Sequence, residues 1–314
     1  VPDALITYEH RVSRIGAVIE RKGMRLDVEY TERLVRELKE EEEHFASVAR
    51  RYGVTSVNAP KQVAEALVAM GEELTERTES GQLAVGKEVL LPLADLTTSW
   101  ERIGAREPNP LADAVLRCKR AGKWSTSYAK AMLDSRDEHD RVHPSINTLG
   151  ARTGRWSVSS PPLQQLPSSG WRIRRCVVAE KGHQIGASDL RQVELRVLAA
   201  LAGADKIVER VNRGEEVSDD EIKNDPRRKR TKTISLGKAY AGGPTALAKQ
   251  TGLPVQQVKK ALEQYDRALP EIKKFAARME RTARAQGMTI RTPSGRLLRL
   301  ARDKTYAAVA YLCQ

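Results

Sequence analysis

An α+β protein, rich in helix with a few short antiparallel strand pairs, is what this 314-residue sequence predicts. Three observations carry that expectation. Long stretches repeat apolar residues at helical spacing, as in Ile15, Val18 and Ile19 and then Leu34 and Leu38. Short apolar runs flank turn residues in two places, around Lys181-Gly182 and around Pro293-Ser294-Gly295. An apolar content of 40% suffices for real cores in roughly two domains or one multi-lobed unit.

Taken in order, Tyr8 to Val54 reads as helix interrupted at Gly23, with the acidic run Glu40 to Glu43 on a solvated face. Asn58-Ala59-Pro60 supplies a cap and first turn, and Val63, Leu67 and Met70 continue the helix until Gly71 closes it. Residues 75 to 147 mix short helices with loops, and residues 148 to 170, rich in Gly, Ser and Pro, read as an extended loop. Cys176-Val177-Val178 and Gln184-Ile185-Gly186-Ala187 then read as two strands, which places Asp189 at a strand end. Val193, Leu195, Val197, Leu198 and Leu201 lead into a helix, and a charged loop from Arg213 to Pro226 precedes a long helical stretch. Another helix spans Pro254 to Leu269, Gly287 to Leu300 forms a hairpin, and Thr305 to Gln314 begins a mostly apolar helix. No internal repeat is present.

A formal charge of +13 favours a polyanionic partner, because Lys and Arg gain by displacing counterions from a phosphate backbone. Nucleic acid leads and an anionic membrane surface follows. No run approaches the about 18 apolar residues of a membrane span, and Val1-Pro2-Asp3 opens no signal pattern, so a soluble, cytoplasmic chain is expected. Cys118, Cys176 and Cys313 are isolated, with neither metal-type nor disulfide-type spacing, and read as reduced thiols. The missing initiator Met and the end at Leu312-Cys313-Gln314 lead to the expectation of an excerpt from a longer chain.

Three groups of residues carry chemistry. Arg117, Lys119, Arg120 and Lys123 precede Trp124, Ser125, Thr126, Ser127 and Tyr128; cations beside hydroxyls suit backbone phosphates, and equally a solvated helix with a partly buried Trp. Asp189 is followed by Gln192, Glu194 and Arg196, and a carboxylate fixed between sheet and helix can hold Mg²⁺. Phosphoryl transfer clamps the attacking and leaving oxygens, usually with two ions, so one Asp does not suffice. Finally, Arg228, Lys232, Leu236 and Tyr240 recur every fourth residue, and at about 100° per residue they share one broad helix face. Such a face can grip a triphosphate and stack a base, while the run Arg227 to Lys232 is equally a localisation signal or a solvated face.

These residues bear a specific resemblance. Ser188-Asp189-Leu190-Arg191-Gln192-Val193-Glu194-Leu195-Arg196 resembles motif A of family A DNA polymerases, the bacterial DNA polymerase I type, and Arg228 to Tyr240 resembles their motif B helix. Arg152-Thr153-Gly154-Arg155-Trp156-Ser157, with Pro162-Leu163-Gln164-Gln165-Leu166-Pro167, resembles the loop that meets the primer-template minor groove, and Arg141 to Asn147 precedes it in the expected order. Lys123 to Tyr128 is similar to the thumb's Lys-x-Ser-Thr-x-Tyr segment, and Asn58 to Gln62 to its Asn-x-Pro-x-Gln signal. The resemblance covers nearly the whole chain.

It implies a right-hand fold with a palm-associated helix at 1–29, a thumb at 30–147, a palm with motif A at 148–202, fingers with motif B at 203–290, and the start of a returning palm segment at 291–314. It also implies a monomer that binds primer-template DNA and dNTPs and uses two Mg²⁺ ions for template-directed DNA synthesis. In that reading Asp189 is the first metal ligand, a second Asp is expected beyond Gln314, and Arg228 and Lys232 hold the triphosphate. Leu236, Tyr240, Glu194 and Gln192 complete the dNTP site, Glu194 as the gate against a ribose 2′-hydroxyl. Arg155, Gln164, Lys123, Ser125, Thr126, Tyr128 and Asn147 contact DNA.

The departures from the pattern also carry expectations. Leu236 stands where many relatives carry Phe or Tyr, Leu190 replaces a Tyr, Ala241 replaces a Gly, and residues 213 to 226 lack the Asp-Ile-His segment. Tyr306 to Gln314 resembles the helix leading toward a His-Asp motif that the chain does not contain, so this chain is expected to bind primer-template better than it extends it. The alternatives are a degenerate, non-catalytic DNA-binding protein and a single-subunit RNA polymerase, the latter disfavoured by Glu194.

Overall fold

The computed structural model describes residues 2–167, 170–190, 192–214, 234, 237–238, 242–251 and 253–313, and the chain divides into two compact units. One unit comprises Ile15–Asn147 and Ser157–Gly186. It takes in the end of helix α1 (Asp3–Lys22), strand β1 (Met24–Leu26) and helix α2 (Val28–Arg50). Asp27 caps α2 by accepting from the Tyr30 amide at 3.0 Å, which satisfies one of the free N–H groups of a helix start. Helix α3 (Pro60–Ala69) opens on a proline, whose fixed φ suits the first turn, as Asn58-Ala59-Pro60 predicts.

Helices α4 (Lys87–Leu93) and α5 (Pro110–Lys123) follow; Asn109 caps α5 through the Ala112 amide at 3.0 Å, and Pro110 again takes the first position. The helix does not stop at Lys123. It widens into a π-helical stretch, Trp124–Lys130, and ends in α6 (Ala131–Asp134). Leu90, Leu111 and Val115 pack with Val63 and Leu67 in one core, and Leu34, Leu38, Trp124, Tyr128 and Met132 build a second where α2 lies along α5. Part of the acidic run is drawn into that contact: Glu41 accepts from Arg172 at 2.7 Å and lies 3.6 Å from Arg120, so it is not simply a solvated face.

Strand β1 is the centre of a small antiparallel sheet, flanked by β2 (Arg141–Val142) and β5 (Val177–Val178). A separate hairpin pairs β3 (Ser145–Asn147) with β4 (Ser157–Ser159), and a single 3-10 turn, Leu163–Gln165, follows. The stretch expected as loop therefore contains a strand and a helical turn. The strand expected at Gln184 to Ala187 is not formed: the residues are exposed and irregular. A strand persists only as a ladder, and among the described residues none pairs with this stretch.

The other unit comprises Val1–Arg14, Thr148–Trp156 and Ala187–Gln314. Its helices are α7 (Val193–Ala202), α8 (Asp205–Asn212), α9 (Pro244–Thr251), α10 (Val255–Ala268), α11 (Pro270–Ala285) and α12 (Ala307–Cys313). Strands β6 (Thr289–Arg291) and β7 (Leu297–Arg299) form the hairpin expected around Pro293-Ser294-Gly295. Leu198, Ile272, Phe275, Ile290 and Leu298 lie at its core, and a satellite cluster gathers Leu247, Val258 and Leu262 around Ile234.

Candidate active site and nucleic-acid interface

Asp189 lies in the exposed segment that leads to α7, three residues ahead of Gln192. Gln192 adopts a left-handed conformation (φ +49°) at the mouth of α7, which turns the chain abruptly into the helix. Glu194 sits in the first turn of α7, where the positive end of the helix dipole favours a carboxylate, and it is ion-paired with Arg155. The structure thus brings together two residues singled out separately in the sequence, one for the sugar gate and one for DNA contact.

The loop bearing Arg155 is braced by a residue that sequence reasoning did not single out. Arg296, at the entrance to β7, ion-pairs with Glu9 of α1 and lies against Gly154, where a Cβ would stand 3.0 Å from its guanidinium. Gly154 also has φ +85°, so both conformation and space demand glycine there. The only signal for this contact in the sequence was the glycine itself, in Thr153-Gly154-Arg155.

Arg228, Lys232, Leu236 and Tyr240 lie outside the described residues. Lys238, which lies between Leu236 and Tyr240 in the sequence, pairs with Asp266 at 3.0 Å, and Asp266 also lies 3.6 Å from Lys273. These groups border a cavity of about 580 Å³ that also takes in Arg281, Arg284 and Tyr306. The neighbouring Tyr265 hydroxyl is buried without a hydrogen-bond partner among the described residues, and burial pushes its pKa up to about 12.

In the other unit, the segment Lys123 to Tyr128 divides into two sets. Lys123 and Thr126 are exposed, and Thr126 donates to the Gly122 carbonyl at 2.8 Å. Ser125 and Tyr128 are 0% and 4% exposed and face the core, so neither side chain presents an exposed surface to a duplex here. The π-helical turn that begins at Trp124 rotates these side chains off the ordinary helical step and points them inward. Asn147 ends β3 opposite Ser157, and Gln164 occupies the exposed turn after β4, so both stand on the surface of one hairpin and its following turn.

Behind that hairpin, His143 bridges two elements. Its Nδ1 lies 2.7 Å from the Glu20 carbonyl and its Nε2 lies 3.0 Å from the Asp137 carboxylate. The Asp137 contact raises the His143 pKa above its ordinary value, helped by the Glu20 carbonyl. His143 in turn holds Asp137 down to about 2, with the Arg141 and His139 amides assisting.

The donor set for a metal is incomplete here. Among the described residues no group of three or more His, Cys, Asp or Glu is placed to hold an ion, and Asp189 is a lone exposed carboxylate. One carboxylate does not by itself fit a two-ion site.

A family model described as DNA polymerase family A matches residues 28–308. The DNA polymerase of Mycobacterium phage D29 is 36% identical over an alignment that covers 100% of this chain and 52% of that protein. The chain belongs to DNA polymerase family A. The DNA polymerase of Mycobacterium phage L5 is 34% identical over 100% of this chain and 52% of its own length, so the chain spans about half the length of the phage relatives it matches. A solved structure of the POL domain of Pol1 from M. smegmatis, in complex with DNA primer-template and dNTP, matches this family A chain with a TM-score of 0.80 and 25% identity. That match covers 97% of this chain and 56% of the other.

Proposed function

We propose that the chain supplies the primer-template and nucleotide-binding part of a template-directed DNA polymerase. The observation that carries this reading is the match of 97% of the chain to a polymerase domain described in complex with primer-template and dNTP. In the reaction, the primer 3′-hydroxyl attacks the α-phosphate of a dNTP, a new P–O bond forms, and the bond to pyrophosphate breaks. Arg228 and Lys232 neutralise the triphosphate, Tyr240 and Leu236 border the base and sugar, and Gln192 and Glu194 line the sugar edge. Glu194, held by Arg155, fills the space that a ribose 2′-hydroxyl would need. Arg155, Gln164, Lys123, Thr126 and Asn147 meet the duplex. Mg²⁺ supplies charge neutralisation at the phosphates when bound, with Asp189 as one ligand, and completing a two-ion site requires carboxylates that the described residues do not gather. The helical region 30–147 is the thumb, 148–202 the palm segment and 203–290 the fingers.

The test is primer extension with Mg²⁺ and either dNTPs or rNTPs, by this chain and by its complete reading frame, with Asp189→Ala in parallel. Extension by the complete frame with dNTPs, abolished by Asp189→Ala, is the expected result. Absence of extension by that frame, despite tight and salt-sensitive DNA binding, would sink the reading in favour of a non-catalytic DNA-binding protein.

A further inference from the structure

The unit built on α2 and α5 contains a cavity that shares only Lys123 with the residues proposed to meet the duplex. Its volume is about 410 Å³, within the range of small-molecule sites, and it opens between the start of α4, the last turns of α5 and the turn after β4. Four cationic side chains line it, Lys87, Lys119, Arg120 and Lys123, and no carboxylate does. The rest of the wall is mostly apolar, and includes the aromatic rings of Trp100, Trp124 and Tyr128.

Three of the cations, Lys87, Arg120 and Lys123, lie over those rings. The Arg120 guanidinium lies 4.0 Å from the centroid of Trp100 and 5.2 Å from that of Trp124, while the Lys87 ammonium lies 5.5 Å from the centroid of Trp100. Lys123 stands 5.7 Å from the ring of Tyr128. Trp100 itself is fixed by an unusual backbone, with φ +71°, in the tight loop closed by the bridge between Leu96 and Arg102. Arg120 is partly compensated by Glu41 at 3.6 Å, whereas no described ion pair involves Lys87, Lys119 or Lys123. Burial lowers the pKa of Lys119, so its ammonium is poorly solvated and gains from a negative partner.

Several cations gathered on one small concave space differ from a stripe of cations along a convex face. A stripe suits the spaced charges of a duplex backbone, which is far too wide to enter a cavity of this size. Convergent cations suit several negative charges on neighbouring atoms, and apolar walls strengthen such contacts by excluding water. We propose that this cavity is a binding site for an oligophosphate group, distinct from the dNTP site and taken from either a nucleoside triphosphate or an inorganic polyphosphate. The inference stands on this cavity alone and does not depend on the polymerase reading. Arg120 is a structural strut between two tryptophans, so Lys87 and Lys119 are the residues whose removal tests the site.

The experiment is isothermal titration calorimetry of the chain with sodium tripolyphosphate and, separately, with dATP, both without metal and at low salt. It compares wild type, Lys87→Gln/Lys119→Gln and Lys232→Gln, with circular dichroism as a check on folding. The expected result is saturable tripolyphosphate binding that Lys232→Gln leaves in place and the double variant weakens by about tenfold or more, as loss of charge-assisted contacts implies. Equal affinity for dATP and tripolyphosphate assigns recognition to the phosphates alone, whereas tighter dATP binding with the same sensitivity assigns the site to a nucleotide. No saturable binding by wild type, or binding that the double variant leaves at wild-type strength, overturns the proposal. If only Lys232→Gln removes it, oligophosphate goes to the dNTP site alone.

Discussion

Glu194 is both the end of an ion pair and the proposed barrier to a 2′-hydroxyl, and two substitutions separate those roles. Glu194→Ala opens space and is expected to raise rNTP use relative to dNTP by about a hundredfold in kcat/KM, the scale on which a site discriminates a hydroxyl. Glu194→Gln breaks the charge pair with Arg155 but keeps the volume, so its rNTP:dNTP ratio is expected to stay near wild type. A ratio that rises equally in both variants would show that the ion pair, not bulk, excludes ribose. Ser125 makes a second residue-scale case, because its hydroxyl is fully buried and has no hydrogen-bond partner among the described residues. An unpaired buried hydroxyl costs about 1 kcal/mol or more, so Ser125→Ala is expected to raise stability by about that amount in urea denaturation. It should leave DNA affinity unchanged; a weaker complex would return Ser125 to the interface.

At the scale of elements, the junction between α1 and β1 depends on one glycine and one histidine. Gly23 has φ +60°, and a Cβ there would lie 2.7 Å from His143 Nδ1 and 2.8 Å from the Val142 carbonyl. Gly23→Ala is therefore expected to cost about 2 kcal/mol, read as a lower urea midpoint, since strain and overlap act together. The His143–Asp137 pair adds a pH dependence of definite sign. His143 has a folded pKa above its ordinary 6.5, so its contribution is complete below that value and is lost as pH rises through the folded pKa. Asp137 is held at about 2 against an ordinary 3.8, so its contribution is present above 3.8 and is lost as pH falls toward 2. The pair thus supports the fold most between those ordinary values, and His143→Gln is expected to flatten the decline in stability from pH 6 to pH 9; an unchanged decline would assign it to other groups. Elements with local signals were legible beforehand, as with Pro60 opening α3 and Pro293-Ser294-Gly295 turning the hairpin. The inward turn of Ser125 and Tyr128 was not, because a π-helical turn leaves no periodic mark in the sequence. The expected strand at 184–187 failed for a different reason: its partner is not a local property.

For the molecule as a whole, family membership was legible because motif-like segments stand in the right order along nearly all of it, and the match to residues 28–308 rests on the same stretch. The arrangement that pairs Arg155 with Glu194 and sets Arg296 against Gly154 was not legible, since it joins residues far apart in sequence. The bulk property most directly readable was the charge of +13. If Lys and Arg neutralise six to ten backbone phosphates, affinity for primer-template should fall by roughly 10³ to 10⁵ between 50 and 200 mM salt. Fluorescence anisotropy across that range gives the slope of log K against log salt. Lys123→Gln is expected to reduce the slope by about one, as loss of a single phosphate contact requires, while Ser125→Ala leaves it unchanged. A slope near zero would mean that the positive charge is spent elsewhere than on the DNA backbone. A Lys123→Gln slope equal to wild type, beside a weakened tripolyphosphate complex, would assign Lys123 to the cavity it lines rather than to the duplex.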